Sequence, residues 1–158
     1  MMVAEPPAVQ YPTWSVPNLW KGGRCFIICG GASINQQRKH IARLSGHIIA
    51  VKHAVLLRPD AEVMFITAEP WDALPLLPKF KAHYVVMRRG QERPGFPDYI
   101  KRVTRAKDHT TLCDLPTHVS GYDAGTSSIN LAYHLGAREI VLAHQPPEGL
   151  GGAGDDLV

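Results

Sequence analysis

The run Arg24-Cys25-Phe26-Ile27-Ile28-Cys29-Gly30-Gly31-Ala32-Ser33 joins an apolar segment to two glycines and a serine just ahead of a helical pattern. Glycines let a backbone approach an anion, and the start of a helix presents N–H groups without partners, so this arrangement suits a phosphate. The plainer alternative is a tight strand-to-helix turn with no ligand, because the residues form neither G-x-G-x-x-G nor a Walker A loop. A second polar stretch, Ser120-Gly121-Tyr122-Asp123-Ala124-Gly125-Thr126-Ser127-Ser128, leads into Ile129-Asn130-Leu131-Ala132-Tyr133-His134-Leu135. There Ser127 and Ser128 either hold a phosphate or ribose through hydroxyls and backbone N–H groups, or simply cap their helix.

Proton transfer needs a carboxylate or imidazole at the same edge. Glu69 is the leading acid or base, set against the plainer role of a surface carboxylate beside the Pro70-Trp71 turn. His53 and His144 follow the second and the last predicted strands, where either would contact phosphate or act as a general acid. The eight histidines show neither H-x-x-x-H nor H-E-x-x-H spacing, so no built-in metal site is expected. His134, inside an apolar helical segment, reads as structural. No G-x-S-x-G elbow is present. Cys25 and Cys29 share one face of the first strand, and with Cys113 make an odd count without a second Cys or His pair nearby, which points to buried thiols.

The elements that would position these groups alternate. Apolar runs predict strands over 24–29, 47–51, 62–67, 83–87 and 139–143, with a further short strand near 109–113. Asn35 is the expected cap of a helix reaching Leu44, and a short helix from His53 to Leu57 stops before Pro59. Pro70, Pro75 and Pro78 limit 69–81 to short helical turns, and 88–107 reads as a basic loop. Gly136 stops the late helix. Continuous apolar strands alternating with helices predict an α/β domain: a Rossmann-like, mostly parallel sheet with helices on both faces. Ligands then bind beyond the carboxyl ends of the strands.

The chain has 158 residues, 45% of them hydrophobic and 20% charged, which suits one domain spanning 23–144. Residues 1–22, with four prolines, Tyr11, Trp14 and Trp20, read as an extended arm whose aromatics pin it to the body; residues 145–158, rich in Gly and Pro, read as a flexible tail. No stretch of about 18 apolar residues occurs, and the N-terminus lacks the basic-then-apolar layout of a secretory signal, so no membrane partner and a cytoplasmic location are expected. The net charge is +3 with histidines neutral, but nine Lys or Arg fall between Lys79 and Lys107 against Glu92 and Asp98. That block suits an anionic partner, a phosphorylated small molecule or nucleic acid, against the commoner reading of a solvated surface; without a base-stacking pattern, nucleic acid is not the expected partner.

In this order, the glycine turn, Ile48-Ile49-Ala50-Val51, Glu69-Pro70-Trp71, Ser120-Gly121-Tyr122 and the run from Ile129 to Leu142 resemble the phage and bacterial proteins with an MptE-like Rossmann domain. The resemblance covers about residues 20–143. That superfamily includes archaeal 6-hydroxymethylpterin pyrophosphokinases and is similar in its core to bacterial CMP-sialic-acid sialyltransferases. It implies a nucleotide or nucleotide-sugar ligand, with the cofactor left open between none and Mg²⁺ carried with the nucleotide; the strand-end loops give a ligand edge of Gly30, Gly31, Ala32, Ser33, Lys52, His53, Thr67, Ser120, Gly121, Ser127, Ser128 and Asn130, with Glu69 and His144 as catalytic candidates. Relatives usually continue past this point, so self-association is a further expectation.

Three departures qualify the resemblance. Lys52 stands where the family carries Asn, adding positive charge at the ligand edge. Thr67-Ala68-Glu69 replaces a loop that often holds Asp, and Leu142-Ala143-His144-Gln145 lacks the usual glycine and acid after the last strand. Because the resembled superfamily is mostly enzymatic, the expected function is a transferase using a nucleotide-sugar or nucleoside triphosphate donor. The alternative is a catalytically reduced module that binds and sequesters a nucleotide signal, which the missing acid favours. A polyanion-binding structural protein built on the 79–107 block ranks third.

Overall fold

The computed structural model describes residues 11–30, 32–67, 70–81, 83–89 and 95–143. The first ten residues and the 145–158 tail lie outside them. The elements run β1 (Arg24–Ile28), a 3₁₀ segment (Ala32–Gln37), α1 (Arg38–Arg43), β2 (His47–Val51), a 3₁₀ turn (Lys52–Leu56), β3 (Val63–Ile66), a 3₁₀ segment (Pro70–Lys79), β4 (Tyr84–Arg88), β5 (Lys101–Arg105), β6 (His118–Val119), α2 (Ala124–Leu135) and β7 (Glu139–Ala143). The strands form one sheet in the order β6-β5-β4-β3-β2-β1-β7, and every neighbouring pair is parallel. The single-domain Rossmann-like α/β expectation holds.

Burial on both faces explains the continuous apolar strands, since a parallel sheet needs its crossovers packed over it. Phe26, Ile28, Ile48, Ala50, Met64, Ile66 and Met87 meet Ile34, Ile41, Val55, Leu76 and Ile100 from the connections after β1 to β4. Cys25, Ile27, Ile49, Phe65, Val86, Val103 and Val119 meet Leu131, Ala132 and Leu135 of α2 on the other face. The chain steps from β1 out to β6 and then returns through α2 to β7 beside β1. The connection from β1 to β2 packs on one face and α2, which leads into β7 on the other side of β1, packs on the opposite face, so a crevice opens at the carboxyl end of β1.

Trp14, Val16 and Trp20 lie on the α2 face. Trp14 N–H donates to Arg102 O at 2.7 Å, Val16 N–H to Pro116 O at 2.9 Å, and Trp20 N–H to Leu135 O at 2.8 Å. Trp14 stacks on Tyr84 with ring centres 5.4 Å apart, and Trp20 on His47 at 4.5 Å. Gly22 N–H donates to Gly136 O at 2.7 Å, so this segment also satisfies carbonyls at the end of α2, where Gly136 adopts φ 102°.

Four local expectations are corrected. A strand, β5, occupies residues 101–105 inside the stretch read as a basic loop. Its charge conceals it: Val103 is fully buried, and so is Arg102, whose guanidinium carbon lies 3.4 Å from the Tyr11 ring centre and whose Nη1 donates to Ile100 O at 2.6 Å. Residues 109–113 are not a strand; the short β6 falls at His118–Val119. Asn35 caps no α-helix, because the chain first tightens into a 3₁₀ segment and α1 begins after Gln37, with no side-chain cap bond. Finally, α2 starts at Ala124, five residues earlier than the apolar run suggests, because Asp123 caps it.

Candidate functional site

Strand alternation carries the α2-facing rows past the sheet's carboxyl edge. Cys29 continues the row of Cys25 and Ile27, Thr67 that of Val63 and Phe65, and Arg88 that of Val86. The first turn of α2 is drawn over this row. Asp123 accepts from Thr126 N–H at 2.8 Å, while Asp123 N–H reaches Thr126 Oγ1 at 3.4 Å, a reciprocal capping box. Gly121, at φ 109°, makes the approach possible: a Cβ there would lie 2.4 Å from Thr126 Oγ1 and 2.9 Å from Ser127 N. A Cβ on Gly125 would sit 3.5 Å from Cys29 Sγ, so the helix start rests directly over the end of β1.

Arg88, the last residue of β4, reaches into this crevice. Its Nη1 donates to Ser127 Oγ at 2.8 Å and to Gly121 O at 3.3 Å. Ser127 is fully buried and Arg88 half-buried. Burial first, and then the like charge of Arg105 at the end of β5, lower the Arg88 pKa from its ordinary value, while Asp123 opposes the shift. Among the described residues no carboxylate forms an ion pair with Arg88. Burial and the Asp123 carboxylate together raise the Cys29 thiol pKa, so this sulfur is held protonated. A partly desolvated guanidinium that feels a second cation, beside a helix start, has the electrostatics of an anion site.

The residues expected at the ligand edge divide into groups. Gly30 and His53 come together with Asn35 and Arg38 around a cleft of ≈ 190 Å³ at the ends of β1 and β2. A Cβ on Gly30 would meet nothing within 4 Å, so the space above this turn is open. The backbone of Ala32 and Ser33 lies in the 3₁₀ segment. Lys52 has φ 45°, a left-handed conformation, and its Nζ lies 3.9 Å from Asp72 Oδ2. Thr67 is buried at the end of β3. Gly31, Glu69 and His144 lie outside the described residues.

Around α2 the roles differ from a simple cradle. Ser127 and Ser128 are not caps: Ser127 N–H is already bonded to Asp123 O at 3.1 Å, and Ser128 Oγ donates to Ala124 O at 2.5 Å. Asn130 is fully buried; its Oδ1 accepts from Ser120 N at 2.9 Å, Ser120 Oγ at 3.0 Å and Cys113 N at 2.8 Å, and its Nδ2 donates to Cys113 O at 3.1 Å. Asn130 and Ser120 thus stitch two loops to the helix.

Sequence reasoning passed over Arg88 and Cys29 as individual site residues. The signal for Arg88 is its place immediately after the fourth apolar run, at the edge where α/β ligands bind. The basic block does not form one face: Arg88 turns to Ser127, Arg102 is buried, and Arg89 donates to Tyr11 O and to Thr13 Oγ1. Among the described residues no three His, Cys, Asp or Glu side chains are grouped to hold a metal ion, and no helix is long and apolar enough to cross a membrane. No protein-family model, curated protein or solved structure matches the chain.

Proposed function

We propose that the chain binds the phosphates of a nucleotide or nucleotide-sugar in the crevice between Arg88, the Gly30 turn and the start of α2, and transfers a group from that donor. The observation that carries this reading is Arg88: a half-buried guanidinium braced on Ser127 and Gly121, within range of the like charge of Arg105, with no ion-paired carboxylate among the described residues. An anion between the two arginines relieves their repulsion and replaces lost hydration. The open backbone at Gly30 allows close approach, and Lys52 adds a cation at the end of β2. The resemblance to the MptE-like family agrees with a nucleotide donor. Glu69 and His144 are assigned to proton transfer from their sequence positions alone. Mg²⁺ in this scheme arrives on the nucleotide's own phosphates, because Asp123 is engaged as a helix cap.

That last observation also supports the second reading, a module that binds and holds its nucleotide unchanged. A mixed pool of nucleotides, cyclic nucleotides and nucleotide-sugars with Mg²⁺, passed over the full chain and recovered by mass spectrometry, separates the two. A cleaved donor or its leaving nucleotide supports transfer, and one species recovered intact supports sequestration. Retention of nothing overturns both.

A further inference from the structure

A cleft of ≈ 490 Å³ opens beside Arg105, between the end of β5 and the loop leading to β6. Ala106, Cys113, Leu115, Arg105 and Lys107 line it, with His118. Its size falls within the range of small-molecule sites, roughly 300–1,000 Å³. Arg105 belongs to both places: it lines the cleft and is the like charge felt by Arg88.

The cleft wall is fixed by the helix that completes the phosphate crevice. Asn130, in the middle of α2, holds both the N–H and the C=O of Cys113, and His134 Nε2 lies 3.1 Å from Asn130 Nδ2 and 2.7 Å from His118 O. Asp108 also lines the cleft, with its carboxylate bonded by neutral donors. Its Oδ1 accepts from Thr110 N at 2.8 Å and Thr110 Oγ1 at 2.6 Å, and its Oδ2 from Thr111 Oγ1 at 3.2 Å. Neither Arg105 nor Lys107 is ion-paired with a carboxylate among the described residues. The result is a preformed cavity with apolar walls and a rim of two cations against one carboxylate, with Arg105 reaching towards the anion site, which suits a planar, uncharged group carrying phosphate at one end.

We infer that this cleft receives the nucleobase and ribose of the ligand, with Arg105 taking the phosphate that lies between cleft and crevice. The inference rests on the phosphate-binding reading above. Cys113, half-exposed in the wall, is a built-in reporter, whereas Cys25 is buried under the α2 face. The full chain is treated with N-ethylmaleimide near neutral pH, alone, with each of the four ribonucleoside triphosphates, and with tripolyphosphate, and modification is mapped by peptide mass spectrometry. At roughly ten times its Kd, a bound nucleoside triphosphate slows Cys113 alkylation about tenfold, while tripolyphosphate does not. In parallel, Leu115→Trp, at a position 58% exposed and therefore tolerant of change, fills the mouth of the cleft and weakens nucleoside triphosphate binding about tenfold with tripolyphosphate binding unchanged. Nucleotide binding with no protection of Cys113, equal protection by tripolyphosphate, or wild-type nucleotide affinity in Leu115→Trp overturns the cleft assignment and leaves the phosphate reading standing. Failure of every triphosphate and of tripolyphosphate to bind overturns both.

Discussion

Arg88 Nη1 lies 2.8 Å from Ser127 Oγ, so the end of β4 and the second turn of α2 are joined by a guanidinium whose described partners are neutral oxygens. A structural arginine ordinarily finds a carboxylate when it is taken partly out of water, because burial without one is costly. Here burial and Arg105 both act against the charged form. The bracing by Ser127 and Gly121 fixes the direction of the group without neutralising it.

Replacing Arg88 by Met therefore weakens nucleotide binding much more than it weakens the fold. A charge-assisted hydrogen bond contributes about 1.5–3 kcal/mol, which corresponds to roughly 10- to 100-fold in Kd. Arg88→Lys keeps the charge but not the planar fork, and falls between the two. Titration calorimetry on the three proteins checks this ordering; wild-type affinity in Arg88→Met would place the anion elsewhere.

Much of this arrangement was legible in the sequence, and the exceptions have physical causes. β1, β2, β3, β4 and β7 were visible because strands buried on both faces read as unbroken apolar runs. β5 was not, because its inward Arg102 is stabilised by a distant aromatic, Tyr11, a tertiary partner that local sequence cannot reveal. The start of α2 was read late for a related reason. Asp123 and Thr126 look like loop residues, and their value as a capping box appears only when they are counted at N-cap and N3 spacing. Asn130 was legible as an important polar residue in an apolar helix, but its partners, Cys113 and Ser120, lie on other segments.

Cys25 gives a pH prediction. Burial, partly offset by a backbone hydrogen bond at Ile49, pushes its thiol pKa up to about 12 from the usual 9.0. The folded pKa is raised, so the stabilisation from keeping this thiol neutral is complete below about pH 9 and is lost as pH rises towards 12. Urea unfolding across that window shows stability falling by up to about 1 kcal/mol per pH unit from this group. In Cys25→Val that contribution to the slope disappears. An unchanged slope would mean that the thiol ionises as readily in the folded chain as in the unfolded one.

Trp20 anchors residues 11–22 through two different interactions. Its Nε1 donates to Glu62 Oε2 at 2.8 Å, and its ring stacks on His47, whose Nδ1 lies 2.7 Å from Glu62 Oε1. Truncation to Ala removes a 7%-exposed indole and leaves Glu62 short of one donor, at a cost of about 3–5 kcal/mol. Leu56→Ala, at a residue half exposed on the 3₁₀ turn after β2, changes stability by less than about 0.5 kcal/mol. Chemical denaturation of the two variants tests the contrast. Similar midpoints would show that the segment is not held to the sheet by its tryptophan.

Two glycines separate the demands of folding from those of binding. At Gly121 the backbone is left-handed, and an added Cβ would strike Thr126 Oγ1 and Ser127 N, the atoms that begin α2. Gly121→Ala thus costs about 1–3 kcal/mol in stability and also displaces the carbonyl that accepts from Arg88, so both unfolding midpoint and nucleotide affinity fall. At Gly30 an added Cβ meets nothing within 4 Å, so Gly30→Ala leaves stability within about 0.5 kcal/mol of wild type. Its effect is confined to whatever approaches the turn from outside: nucleotide affinity drops while the unfolding curve does not move. Thermal denaturation and calorimetry on the pair give a two-by-two outcome. If Gly30→Ala binds nucleotide as tightly as wild type, the open space above the turn is not where phosphate sits, and the anion is held by the arginines and the start of α2 alone.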